Sequence, residues 1–203
     1  MEFLRGLYHS VFGDRLEYEG GSDGGDVLTA EDKEELRMFS GFEVKEIVRL
    51  YNLYKQCIDG NEQGLMSLTV FLALPAMEFN PLKHRIAIHF GFINGKTEIN
   101  FKEFVCGLAL FNSQGQRDSK IKIAFQVQDF DDDGVLSKED LTTYINLVTT
   151  NGLTNEGDVE FMVEQLLNES FAGQEYRGDA IAFADFQRLL SAMDFQAKMR
   201  INI

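Results

Sequence analysis

Residues 129–140 read Asp-Phe-Asp-Asp-Asp-Gly-Val-Leu-Ser-Lys-Glu-Asp, and no other stretch constrains this chain as tightly. Carboxylates stand at positions 1, 3, 5 and 12 of the twelve, as Asp129, Asp131, Asp133 and Asp140, with Gly134 at position 6. So many negative charges in one turn repel strongly unless a cation sits among them. Glycine supplies the sharp bend that folds the carboxylates towards a common point. Apolar residues at helical spacing flank the stretch, Ile121 and Phe125 before it and Leu141, Tyr144, Ile145 and Val148 after it. A plain acidic turn would account for the charges, but not for the apolar Leu136 at position 8 or the two flanking stripes.

The spacing is that of an EF-hand loop. Such a loop offers oxygens at positions 1, 3 and 5, a backbone carbonyl at 7, often a water held at 9, and a carboxylate at 12. The candidate metal ligands are therefore Asp129, Asp131, Asp133, the carbonyl of Val135, Ser137 and Asp140. Position 12 departs from the strongest calcium loops, which place Glu there and use both oxygens. Asp is one methylene shorter and offers one oxygen, which lowers the coordination number towards the octahedral demand of Mg²⁺. The cofactor expected is Ca²⁺, with Mg²⁺ possible at the same site. Ser137 can also cap the following helix, with Asp140 three residues on near its positive end.

Once this period is known, three more loops emerge. Residues 59–70 keep Asp59 at position 1 and Gly64 at position 6 but end on Val70, which cannot ligate. Residues 92–103 start on Phe92 and carry Lys96 at position 5, so this loop holds no metal, and Glu103 reads as the capping-box partner of Asn100. The stretch from Phe171 to Asp185 is overlong, with Tyr176-Arg177-Gly178 interrupting its acids, and also reads as metal-free. Loops of this kind work in pairs through a short antiparallel contact at position 8, which predicts Met66 with Ile99 and Leu136 with Ile181.

Between the loops, apolar stripes predict eight helices in four pairs. In the first half they are Val44, Ile47, Val48 and Tyr51; Phe71 and Leu74; a helix opened by Asn80-Pro81 as N-cap and first residue; and Phe104, Leu108 and Phe111. After the linker Asn112–Gln116 come the two stripes around residues 129–140, then Val159 to Leu167, then Phe186 to Met193. The predicted fold is all-α, two EF-hand lobes joined internally by short antiparallel β contacts. Its parts are an N-terminal extension (1–36) with an amphipathic helix over Phe3–Phe12 and a Gly-rich joint, an N-terminal lobe (37–112), and a C-terminal lobe with a tail (117–203).

Composition removes several functions. Of 203 residues, 44% are hydrophobic and 12% aromatic, enough for packed cores. A net charge of −14 speaks against a reader of nucleic-acid backbones. Cys57 and Cys106 stand apart within apolar helical patterns and read as reduced core residues. No apolar run approaches the roughly 20 residues needed to span a bilayer. Residues 1–5 show no secretion signal, and Glu2 stands where N-myristoylation needs glycine. A cytoplasmic protein is expected, touching membranes only through a partner. No histidine, cysteine or serine forms a nucleophile arrangement, so no enzyme is expected; His9, His84 and His89 lie on predicted helices.

Over residues 40–203 the sequence resembles the calcineurin B family, which includes the phosphatase regulatory subunit, the calcineurin B homologous proteins and the calcium- and integrin-binding proteins. The resemblance rests on Ser40-Gly41-Phe42 leading to Ile47–Tyr51, Asn80-Pro81-Leu82, Asn100–Phe104, Asp129–Gly134 with Glu139-Asp140-Leu141, and the ending Met193–Ile203. Asp at position 12 is closest to the integrin-binding branch. The first 36 residues are unlike the family, and the fourth loop is degenerate where relatives bind calcium. The resemblance implies a regulatory subunit whose apolar groove holds an amphipathic helix of a partner protein, such as a phosphatase, kinase or transporter. Seven Met and eighteen Phe suit such a surface. The alternative is a structural light chain bound permanently to a cytoskeletal or motor assembly, its one Ca/Mg ion purely structural. A calcium buffer ranks third, because one competent loop in 203 residues buffers inefficiently.

Overall fold

A computed structural model of the chain describes residues 28–58, 61, 63–112, 117–149, 155–172 and 178–192. The Phe3–Phe12 stripe, the Gly-rich joint, Asp59, residues 113–116 of the linker, Glu175 to Arg177 and the tail from Met193 lie outside these residues. The chain divides into two compact units, Met1–Gln114 and Gly115–Ile203.

The first unit begins with helix α1 (Ala30–Ser40), which crosses position 36 and buries Leu36. Thr29 caps it reciprocally with Asp32, and Gly41, at φ +71°, closes it in the left-handed conformation that glycine adopts without a Cβ clash. Then follow α2 (Val44–Cys57), β1 (Met66–Ser67), α3 (Leu68–Leu72), the short α4 (Pro75–Glu78), α5 (Lys83–Ile88), β2 (Glu98–Ile99) and α6 (Phe101–Asn112). The second unit contains α7 (Arg117–Gln128), β3 (Val135–Leu136), α8 (Lys138–Val148), α9 (Glu156–Ser170), β4 (Ile181–Ala182) and α10 (Phe183–Ala192). The described residues therefore hold ten helices: the eight anticipated, plus α1 and α4.

Each unit pairs its two loops by one two-residue antiparallel ladder. Met66 faces Ile99 in the first and Leu136 faces Ile181 in the second, the position-8 pairs anticipated from spacing. All four side chains are at most 2% exposed, so the ladders sit on top of their cores.

Two local expectations shift. The buried face of α2 is Ile47, Leu50 and Tyr54, whereas Val44 is exposed and Val48 and Tyr51 are half-buried. Both faces carry apolar residues at helical spacing; Tyr54 decides the rotation because its hydroxyl is hydrogen-bonded inside. Similarly, α5 starts at Lys83, not Pro81. Asn80 Oδ1 accepts the Leu82 N–H (2.8 Å) and the Asn80 carbonyl accepts the Lys83 N–H (3.2 Å), so Asn80 closes a turn ahead of the helix.

Phenylalanines fill the first core. Phe90 stacks on Phe111 at 5.7 Å between ring centroids, and Phe71 meets Phe90 at 4.7 Å and Phe92 at 5.2 Å. In the second unit Phe125 meets Phe183 and Phe186 edge-on at 5.5 Å each, over a core that includes Leu141, Ile145, Val159, Val163 and Leu167. Cys57 is half-buried, but Cys106 is exposed, which corrects its reading as a core residue. No helix among the described residues is long and apolar enough to cross a membrane.

Gly107 of α6 lets Phe90 approach the helix backbone, because a Cβ there would lie 2.3 Å from Phe90 Cδ1. Gly107→Ala should therefore destabilise the protein by about 1–3 kcal/mol despite its better helix propensity, as measured by denaturant unfolding.

Candidate metal centre

The loop between α7 and α8 is shaped by its own backbone N–H groups. Asp129 prolongs α7, its N–H donating to the Phe125 carbonyl at 3.1 Å. Its Oδ1 accepts the Asp133 N–H (3.1 Å) and its Oδ2 the Gly134 N–H (3.0 Å). Asp131 Oδ1 also accepts the Asp133 N–H (3.3 Å), and Asp133 Oδ1 accepts that of Val135 (2.9 Å). Asp132 and Gly134 adopt positive φ, 59° and 88°, which curls the segment around its carboxylates.

Asp129, Asp131 and Asp133 each bring a carboxylate oxygen within 4.8 Å of the others. At that separation two full charges repel by about 3.5 kcal/mol at an effective dielectric constant of ~20. Asp129 is only 5% exposed while the other two face solvent. Burial raises its carboxyl pKa, against the pull of the Gly134 and Asp133 N–H groups, and the charges of Asp132 and Asp133 push it the same way. Three converging hard oxygens with no basic side chain among them suit a divalent cation such as Ca²⁺ or Mg²⁺.

Asp140 is not part of this trio. It is 4% exposed, and both its oxygens face the loop's own donors. Oδ1 accepts the Phe130 N–H (2.9 Å), while Oδ2 accepts the Ser137 N–H (2.9 Å) and hydroxyl (2.7 Å). Ser137 Oγ in turn accepts the Asp140 N–H (3.1 Å), completing the capping box of α8. Asp140 thus ties the second residue of the loop to the start of the exit helix. Val135 and Leu136 lie in β3, opposite Ala182 and Ile181.

The remaining loops differ in kind. In residues 92–103, Phe92 is buried against Phe71, and Lys96 forms an ion pair with Glu103. Glu103 Oε2 accepts the Asn100 N–H (2.9 Å) and Asn100 Oδ1 accepts that of Glu103 (3.0 Å), the capping role expected of it. Asn94 and Gly95 have φ of 52° and 80°, and Lys96 N–H donates to the Ile93 carbonyl at 2.9 Å, making a tight turn. Its signal, the Asn-Gly dipeptide, is plain in the sequence but does not belong to the metal-loop pattern. In the fourth loop, the Leu136–Ile181 register puts Ile181 at position 8 and Asp185 at position 12, but α9 already ends at Ser170, so the span is overlong as expected. Arg188 Nη2 donates to Asp185 (2.7 Å) and to the Ser170 carbonyl (2.9 Å).

Sequence reasoning missed Tyr54, whose hydroxyl lies within hydrogen-bonding distance of groups on both loops of the first unit. Its only advance sign is its place seven residues after Ile47 on an apolar face.

Removing the Ser137 cap tests the local geometry. Ser137→Ala should cost about 1 kcal/mol in metal-free thermal unfolding and fray the first turn of α8.

No protein-family model matches the chain. Among characterised proteins it is similar to the calcineurin B protein of Naegleria gruberi, 34% identical over 177 residues, covering 87% of this chain and 96% of that protein. The type 2 calcineurin B of Dictyostelium discoideum is 31% identical over 177 residues, covering 87% of this chain and 93% of the relative. The type 2 calcineurin B of Homo sapiens is 29% identical over 163 residues, covering 80% and 92%.

Proposed function

The chain belongs to the calcineurin B family of EF-hand proteins, and from that premise we propose that it is a calcium-binding regulatory subunit of a protein phosphatase or a similar enzyme or transporter. The observation that carries the reading is the convergence of Asp129, Asp131 and Asp133 within one curled loop. These three side chains, the Val135 carbonyl, a water on Ser137 and one oxygen of Asp140 would hold the ion. The bound ion would supply the positive charge that the three carboxylates lack.

The regulatory step is the gripping of an amphipathic helix from the partner. Phe161, 64% exposed, with Met162 and Val148 also exposed in the second unit, supports a surface that takes apolar side chains. A net charge of −14 favours a basic partner segment. The engagement of both Asp140 oxygens with N–H and O–H donors supports a site of moderate calcium affinity in which Mg²⁺ competes.

A second reading, a permanently bound structural light chain, draws on the first unit, where Phe92 and the Lys96–Glu103 ion pair occupy ligand positions of one loop. The two readings separate by affinity capture in calcium and in chelator. A partner released by chelator and by Asp129→Ala marks the regulatory subunit; one retained in both marks the light chain.

Calorimetry checks the centre itself. Asp129→Ala should weaken Ca²⁺ binding by about 100-fold or more. Asp140→Glu should raise the preference for Ca²⁺ over Mg²⁺ by about tenfold, by offering a second oxygen. Tight wild-type calcium binding that ignores millimolar Mg²⁺ would refute the competition.

A further inference from the structure

We propose that the loop pair of the first unit is self-liganded: Lys96, Asn61 and Tyr54 supply from the chain itself the positive or donor groups that an ion supplies in a live hand, so this unit holds its loop pairing with or without calcium. The inference concerns residues 54–103 and does not depend on the ion at 129–140.

Three contacts carry it. In loop 92–103 the position-12 carboxylate, Glu103, receives the ammonium of Lys96 from position 5. In loop 59–70 the position-7 carbonyl, Leu65, accepts the side-chain N–H of Asn61 from position 3 at 2.6 Å. Asn61 Oδ1 accepts the Gln63 N–H (2.9 Å), which fixes the amide so that its nitrogen faces that carbonyl. These are two acceptor positions that point at the ion in a competent loop, and each meets a donor here.

The third contact joins the loops. Tyr54 Oη accepts the Met66 N–H (3.0 Å), and its own proton faces the carbonyls of Ile99 (2.8 Å) and Gly64 (3.0 Å). Tyr54 is 1% exposed, and its ring meets Phe101 and Phe104 at 5.4 and 5.6 Å. Burial, the largest influence, lifts its phenol pKa to about 12, so the hydroxyl keeps its proton and continues to donate. For Glu103, burial pushes the carboxyl up, but the Lys96 ammonium and the Asn100 N–H outweigh it and keep the carboxyl ionised.

An ion entering loop 92–103 would meet an ammonium at position 5 and a buried phenyl ring at position 1. Loop 59–70 in turn ends on Val70 and has its Leu65 carbonyl taken by Asn61, so calcium gains little preference between conformations of this unit, and a ligand without such a preference shifts no equilibrium. Any change that calcium causes is then confined to the second unit.

Amide hydrogen exchange on the full chain, with calcium and with EDTA, tests this, reading Met66 and Ile99 against Leu136 and Ile181. Exchange of Met66 and Ile99 should change by less than twofold between the two conditions; a larger change overturns the proposal. Tyr54→Phe keeps the ring but strands buried N–H and C=O groups, so it should speed both amides about tenfold or more in either condition. Acceleration below threefold overturns the role of the hydroxyl. Should Tyr54→Phe fail to fold, Lys96→Met and Asn61→Ala carry the test, with about two- to fivefold acceleration each because Lys96 and Glu103 are 43% and 33% exposed. No acceleration in either variant overturns the proposal. If Leu136 and Ile181 also ignore the ion, the reading of the metal centre fails while this one stands.

Discussion

Two short ladders of two residue pairs each join the four helix-flanked loops of this protein two and two. Met66 opposite Ile99 and Leu136 opposite Ile181 fix how the loops of each unit face one another. Such ladders are far too short to be stable alone. They persist because their side chains insert into the helical cores beneath, where they are at most 2% exposed. The loops can therefore vary at their ligand positions without losing their places, provided position 8 stays apolar. That separation of framework from chemistry explains how one chain carries an acidic loop beside one, 92–103, with Phe92 and Lys96 at ligand positions.

The two units satisfy the same loop geometry by opposite electrostatics. Around Asp129 the chain concentrates negative charge and leaves it to backbone N–H groups, with burial raising the carboxyl pKa. Backbone dipoles soften such repulsion but do not neutralise it, which leaves the loop poised for a cation. In loop 92–103 the Lys96 ammonium neutralises Glu103 directly. A partly exposed ion pair contributes little by itself. Combined with the buried Tyr54 hydroxyl and the Phe71, Phe90 and Phe92 rings, it belongs to a loop pair assembled by packing.

Much of this was legible in the sequence, because it rests on spacing. The 129–140 loop, its degenerate relatives and both position-8 pairs follow from a fixed period of twelve. The Asn100–Glu103 and Ser137–Asp140 caps follow from a fixed offset of three. What spacing could not resolve was rotation and competition. The α2 helix has two apolar faces, and the one buried is the one whose Tyr54 hydroxyl finds partners inside. Asn80-Pro81 carries both a cap signal and a turn signal, and the turn wins because Asn80 Oδ1 reaches Leu82 before any helix begins. Cys106 has the apolar neighbours of a core residue but sits on the solvent side of α6. Each case needs the third dimension to rank two contacts that the sequence permits equally.

Asp140 shows the same limit at the site itself. Read as a ligand, it is one methylene short of the residue that grips calcium with two oxygens. Read as a cap, it is well placed, bonding Ser137 at the start of α8 and Phe130 at the second loop position. Each carboxylate oxygen has two lone pairs, so capping and ligation are compatible at one oxygen, but the buried side chain is already anchored at both ends. An ion drawing on Asp140 must therefore come to a carboxylate held by the frame, whereas Glu would have the reach to go to the ion. The cap of α8 thus fixes where this carboxylate stands, while Asp129, Asp131 and Asp133 set the charge around it.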